Sequence, residues 1–195
     1  MKNWWSEHIS NHHAYQRRIA IEPFKYLVTL YGEYDSVFDV GCGSAVWYEN
    51  HKSFGKKGDY KGTDVTEEFI TASKEDYPET KWEVQDACAL TEADNSWDVV
   101  LLIHVLEHTD GFEKPIKEAL RVAKKRVIIV LWKDLILGGG IDIRKEPGDL
   151  LAYSNAYGLE VFEDFIKTLN CKITIKNELI MDGTHYNYFY VLDKI

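Results

Sequence analysis

The chain has 195 residues, of which 45% are hydrophobic and 28% charged, with a formal net charge of −9 at pH 7. A chain of that length suits one domain, residues 1–195, able to bury roughly 70% of its unfolded surface, and the acidic balance opposes a broad phosphate-backbone footprint, so no nucleic-acid partner is expected. The three cysteines (Cys42, Cys88, Cys171) are far apart and form no C-x-x-C. Met1–Ser10 lacks an apolar core and no apolar run is long enough to span a bilayer, so a reduced, cytoplasmic protein without a membrane segment is expected.

Met1–Ala14 is rich in aromatics and histidine (Trp4, Trp5, His8, His12, His13). Tryptophans rarely stay exposed, so this arm packs on something. Two readings stand: it covers a flank of the core, or it is a lid whose Trp5, His12, His13 or Tyr15 faces a substrate. His8 and His12 have a helical spacing two metal ligands can use, but no cysteine or carboxylate cluster accompanies them, and no metal is expected. Ile19, Phe24, Leu27, Val28 and Leu30 make an apolar stripe within a helix over Tyr15–Tyr31 that Pro23 kinks or restarts, and Gly32 closes it. Residues 1–32 are therefore read as a helical arm.

Val37, Phe38 and Val40 suit a buried central strand that ends abruptly at Gly41 and Gly43, and Val46-Trp47-Tyr48 opens a helix. A strand, a glycine turn and a helix N-terminus form a site for a nucleotide or another anionic group. The dinucleotide fingerprint Gly-x-Gly-x-x-Gly needs a third glycine where this chain has Val46, which disfavours an NAD-dependent oxidoreductase. The run from Asp39 through Gly41 and Gly43 to Ala45 instead resembles the first motif of class I S-adenosylmethionine-dependent methyltransferases, of the type 11-like domain. It departs from that motif at Ala45, where the family has glycine.

Asp64 ends a short second strand, 23 positions after Gly41, a spacing that puts it at the tip of the neighbouring parallel strand where an acid accepts both ribose hydroxyls. Thr66 reads as the N-cap of the next helix. Trp82–Gln85 is a third strand leading to Asp86, whose position resembles that of the family residue that bonds the adenine amino group. Asn95-Ser96-Trp97-Asp98-Val99-Val100 is similar to the family's Asn-Ser-Phe-Asp-Val-Val before its fourth strand.

His104-Val105-Leu106-Glu107-His108 follows. Taken literally it is the inverted zinc-protease motif, which needs both histidines on one helix face. Here it begins at a strand end, and Thr109-Asp110-Gly111 cuts a helix short. The methyltransferase family carries a very similar segment, whose first residues line the pocket beside the sulfonium while the rest brace the loop. Phe112–Ala123 reads as an amphipathic helix, Lys124-Lys125 as a turn and Arg126–Trp132 as a fifth buried strand. Residues 133–157, with Gly138-Gly139-Gly140, Arg144 and Tyr153-Ser154-Asn155-Ala156-Tyr157, form a loop at the carboxyl ends of the strands, where open α/β sheets bind ligands. A helix over Leu159–Leu169 and two strands, Cys171–Ile180 and His185–Leu192, joined at Asp182-Gly183, complete the chain.

The fold expected is α/β: a Rossmann-like, doubly wound sheet of seven strands, mostly parallel with a C-terminal antiparallel hairpin, and helices on both faces. The resemblance implies S-adenosylmethionine as cofactor and S-adenosylhomocysteine as product, held by Asp39, Gly41, Cys42, Gly43, Asp64, Val65, Asp86, Ala87, Ile103 and His104. It implies methyl transfer to a small-molecule acceptor, with O-methylation first and a non-catalytic cofactor-binding or partner protein as the alternative. His108 and His104 are the candidate catalytic residues. Trp5, His12, His13, Tyr15, Arg144, Tyr153 and His185 are the candidate substrate residues.

Overall fold

The computed structural model describes residues 21–132, 135, 141–142, 153–180 and 186–195. Trp5, His12, His13, Tyr15, Arg144 and His185, the glycine run 138–140 and the hairpin turn at Asp182-Gly183 lie outside the described residues.

The strands are β1 (Ser36–Val40), β2 (Asp59–Asp64), β3 (Lys81–Val84), β4 (Trp97–Ile103), β5 (Ala123–Leu131), β6 (Cys171–Ile180) and β7 (Tyr186–Lys194). They form one seven-stranded sheet in the order β3-β2-β1-β4-β5-β7-β6. β1 pairs in parallel with both β2 and β4, β2 with β3 and β4 with β5, whereas β7 runs antiparallel between β5 and β6. Residues 141–142 and 156–157 make a separate two-stranded ribbon.

The sheet is covered on both faces, which is why its central strands are almost continuously apolar. Alternation sorts each strand between two cores. Val37, Val99, Leu101, Ile128, Val130 and Val191 face one core, with Leu27 of α1 (Ile21–Thr29), Trp47 and Tyr48 of α2 (Val46–Ser53) and Ile70 of α3 (Glu67–Asp76). Phe38, Val40, Val100, Leu102, Val127, Ile129 and Leu192 face the other, with Ile116 and Ala119 of α4 (Glu113–Val122) and Phe162 and Ile166 of α5 (Leu159–Lys167). The apolar positions of α4 recur at helical spacing, Ile116, Ala119, Leu120, so one stripe meets the sheet. Trp47 Nε1 donates to Tyr31 Oη at 2.7 Å, tying α2 to the end of the α1 segment.

Two local expectations are corrected. Lys124 and Lys125 do not form a turn, because α4 passes directly into β5 at Ala123. The carbonyls of Arg121 and Val122, which a helix end leaves without partners, accept the amides of Asn95 and Ser96 at 2.9 and 2.8 Å, so no separate capping turn is needed. Thr66 occupies the N-cap position of α3 but makes no side-chain cap; its hydroxyl serves Asp64 instead.

Candidate functional site

The sheet order reverses at β1, with β2 on one side and β4 on the other, and the crevice at the carboxyl ends of such strands is where open α/β sheets receive ligands. The turn leaving β1 is fixed by backbone bonds: the amides of Gly41 and Cys42 both donate to the Thr63 carbonyl, at 2.7 and 2.8 Å. Gly41 (φ 75°), Gly43 (φ 52°) and Ala45 (φ 61°) all lie in the left-handed region. A Cβ on Gly41 would clash with Val105 Cγ2, whereas one on Gly43 would meet nothing within 4 Å among the described residues. Among the described residues the turn is thus packed shut at Gly41 and open at Gly43.

Asp64 at the end of β2 clasps this turn. Its Oδ2 accepts the Gly43 amide and its Oδ1 the Thr66 amide, both at 2.9 Å. Burial raises its pKa, and the amide bonds to Thr66 and Gly43 pull it back. Val65 beside it is 63% exposed, an apolar side chain facing out of the crevice wall. Asp39 is only 1% exposed and accepts the Tyr60 hydroxyl at 2.6 Å. Burial pushes Asp39 up to about 7, with the Tyr60 bond opposing and the nearby Asp64 adding to the rise. Cys42 is buried too; burial and the two carboxylates hold its thiol well above the usual range.

Asp86 stands exposed on the turn after β3, its Oδ1 accepting the Cys88 amide at 2.8 Å, and Ala87 beside it is half-buried. The Gln85 amide donates to the Asp64 carbonyl at 3.1 Å, linking this turn to the first. Ile103, half-buried, ends β4, and His104 follows with φ 55°, an uncommon value for a non-glycine residue. His104 Nε2 donates to Asn187 Oδ1 of β7 at 2.7 Å, and the His104 amide donates to the Val130 carbonyl at 2.8 Å. His108 ends a short 3-10 turn, Leu106–His108. Its Nδ1 donates to the Tyr153 carbonyl at 2.8 Å and its ring stacks on Trp132, with centroids 6.2 Å apart. On the neutral ring that bond leaves the lone pair on Nε2. Glu107 braces the loop: Oε1 accepts the Trp132 amide at 2.7 Å and its carbonyl accepts the Asn155 amide at 2.8 Å.

The polar-aromatic run 153–157 divides. Tyr153 and Ser154 are half-buried, whereas Asn155 and Tyr157 are 0% and 2% exposed and anchor the run on the loop after β4. The Tyr157 hydroxyl donates to the Leu106 carbonyl, and Asn155 Nδ2 to the Thr109 carbonyl at 2.6 Å. Those two side chains brace the loop after β4, while Tyr153, the substrate candidate of the run, is half-buried. Tyr60, Asn187 and Trp132 are site elements that the motifs did not reveal; Asn187 had one sequence signal, a lone amide within the apolar run Tyr186–Leu192. A groove of about 230 Å³ bordered by Tyr48, His51, Lys52, Asp59 and Lys81 involves the opposite, amino ends of β2 and β3, away from the crevice.

Residues 38–131 match a family described as "Methyltransferase domain". Curated protein sequences give no match. Among solved structures, the complex between the Haloferax volcanii Trm112 methyltransferase activator and the putative methyltransferase matches with a TM-score of 0.74 at 11% identity, covering 100% of this chain and 99% of that one. A SAM-dependent methyltransferase from Methanosarcina mazei matches at 0.70 and 16% identity, covering 87% and 97%. Magnesium protoporphyrin IX methyltransferase from Synechocystis, with bound SAH, matches at 0.67 and 17% identity, covering 100% and 89%. These likenesses establish the fold. With the strand order 3-2-1-4-5-7-6 and the matched methyltransferase-domain segment running from β1 through β5, the chain has the fold of the class I S-adenosylmethionine-dependent methyltransferases.

Proposed function

We propose that the chain binds S-adenosylmethionine at the carboxyl ends of β1, β2 and β3 and passes its methyl group to a small-molecule acceptor, an oxygen acceptor first. The observation that carries this reading is the clasp between Asp64 and the Gly43 amide, at a position that no side chain of the described residues fills. The residues present suit the cofactor. Gly43 gives its methionyl part close access to backbone, and Asp64 stands at the tip of β2, where an acid accepts ribose hydroxyls. Val65 offers an apolar surface to the adenine and Asp86 an acceptor for its amino group. Ile103 and His104 border the place of the reacting methyl.

The cofactor supplies an activated methyl group. The protein's part is to align donor and acceptor for in-line displacement and to exclude water. Asn187 holds the His104 ring, and the Tyr153 carbonyl holds that of His108. With its lone pair on Nε2, His108 suits taking the proton of a hydroxyl acceptor. A porphyrin methyltransferase among the similar structures supports a small-molecule acceptor, and the Trm112 complex makes a protein activator the second possibility to test.

Calorimetric titration with S-adenosylmethionine, S-adenosylhomocysteine and NAD tests the cofactor assignment. Micromolar binding of the two sulfur nucleosides without NAD is expected. Transfer of labelled methyl to a panel of phenolic, sugar and carboxylate acceptors then tests the reaction. Silence toward both nucleosides in folded protein would overturn the proposal, and binding without turnover on any acceptor would favour a non-catalytic role.

A further inference from the structure

Two cationic side chains, far apart in sequence, converge on the turn that carries Asp86. Arg121 on α4 uses all five of its N–H donors. Nε and Nη2 reach the two oxygens of Glu118 at 2.9 and 2.8 Å, Nη1 reaches the Glu92 carbonyl and Asp94 Oδ1, both at 2.7 Å, and Nη2 also reaches the Leu90 carbonyl at 2.9 Å. Glu118 Oε2 in turn accepts the Leu90 amide at 2.9 Å. From β2, the buried Lys61 donates to Glu92 Oε1 at 2.6 Å and to Glu83 Oε2 at 2.7 Å. Gln85 Nε2 bridges the same two carboxylates at 3.1 Å, and its Oε1 accepts the Thr91 amide at 3.0 Å.

Between these anchors the tip of the turn is held by bonds of its own, from the Cys88 amide to Asp86 Oδ1 and from the Ala89 amide to the Asp86 carbonyl. Such bonds set the shape of the tip but not its place. Where the Asp86 carboxylate stands relative to Asp64 therefore depends on the Gln85 amide bond to the Asp64 carbonyl, at 3.1 Å, and on the flanking residues 83–85 and 90–94, which Lys61 and Arg121 hold. A planar fork fixes three acceptors of one turn in one geometry, and a lysine ammonium cannot reproduce it.

We propose that Arg121 and Lys61 are positioning residues that fix Asp86 for reading the base of the cofactor and so set the selectivity of the site for adenine. The proposal rests on the cofactor reading above. It predicts a loss of discrimination, which a simple loss of stability does not produce.

The test compares S-adenosylhomocysteine with S-inosylhomocysteine, in which a keto oxygen replaces the adenine amino group, by calorimetry on folded protein. The variants are Arg121→Lys and the pair Lys61→Met/Glu92→Gln, which avoids leaving a buried carboxylate uncompensated. Arg126→Lys is the control: Arg126 clamps the Leu30 carbonyl at 2.6 Å and Asp193 at 2.9 Å, away from the turn. Wild type is expected to prefer the adenine nucleoside by about tenfold or more, the value of one hydrogen bond to a charged group. The ratio should fall at least threefold in both turn variants and hold in the control. An unchanged ratio in the turn variants, an equal fall in Arg126→Lys, or no base preference in a wild type that binds both would overturn the proposal alone. A wild type that binds neither nucleoside would overturn the cofactor reading and this inference with it.

Discussion

The Gly43 amide donates to Asp64 Oδ2 at 2.9 Å, while Asp64 Oδ1 accepts the Thr66 amide at the same distance. One carboxylate thus joins the turn after β1 to the turn after β2. Because both amides need an acceptor, Asp64→Asn presents an NH2 to one of them. Its cost is expected at about 1–3 kcal/mol of stability, the price of a buried donor left unpaired. Cofactor affinity should fall by a similar factor in Asp64→Ala. Urea unfolding and calorimetry on both variants check this; unchanged binding in the alanine variant would remove Asp64 from the cofactor site.

Ala45 sits at φ 61° as the N-cap of α2, where its methyl group meets the following carbonyl. That conformation costs an L-residue roughly 1–2 kcal/mol, and glycine there costs roughly 0.5–1 kcal/mol in chain entropy. Ala45→Gly is therefore expected to raise stability by up to about 1 kcal/mol. Ala45→Val, β-branched in the same conformation, should lower it. Urea midpoints decide, and a glycine variant less stable than wild type would show that the buried methyl group contributes more than its strain.

Two buried groups oppose each other in the pH dependence. Asp39 is raised to about 7, chiefly by burial. Between its usual range near 4 and pH 7 the folded state holds a proton that the unfolded state has lost, so stability falls as pH rises through that window. His51 packs beside Tyr31, Tyr34, Tyr48 and Tyr60 and is lowered to about 4, chiefly by burial with Lys56 adding. Its contribution is present above the usual 6.5 and is lost as pH falls toward 4. Relative to wild type, Asp39→Asn should become more stable as pH is raised from 4 to 8, by about 1–3 kcal/mol in all. His51→Gln should lack the acid-side loss. Chemical denaturation at a series of pH values measures both, and parallel profiles for wild type and Asp39→Asn would contradict the assignment.

The Tyr157 hydroxyl stands between the Leu106 carbonyl and Asn155 Nδ2, which approaches it at 2.9 Å. Tyr157→Phe keeps the ring packed on Phe112 and removes only that bridge. The expected cost is about 1–2 kcal/mol. Amide exchange should quicken specifically in residues 105–109 and 153–157. Uniform exchange across the chain would mean that the run does not brace the loop after β4.

The architecture and the turns that make up the candidate site were legible in the sequence, because both are local. Apolar runs of strand length punctuated by Gly41, Asp64 and Asp86 state where each strand stops, and a parallel sheet with both faces covered leaves few orders in which to arrange them. Ala45 was visible as a departure from the motif; that its backbone adopts a glycine conformation all the same was not.

Tertiary structure decided what the side chains touch. Asp39 reads as a ligand-facing acid, yet β1 lies at the centre of the sheet and Tyr60 from the next strand covers it. The run Tyr153–Tyr157 reads as a polar loop, yet Asn155 and Tyr157 are buried and donate to the Thr109 and Leu106 carbonyls of the loop after β4. Asn187 meets His104 across 83 residues, and Arg121 meets Leu90, Glu92 and Asp94 from a different element. Periodicity and spacing describe how a segment folds on itself. Which partner completes a buried hydrogen bond depends on how segments distant in the chain are brought side by side.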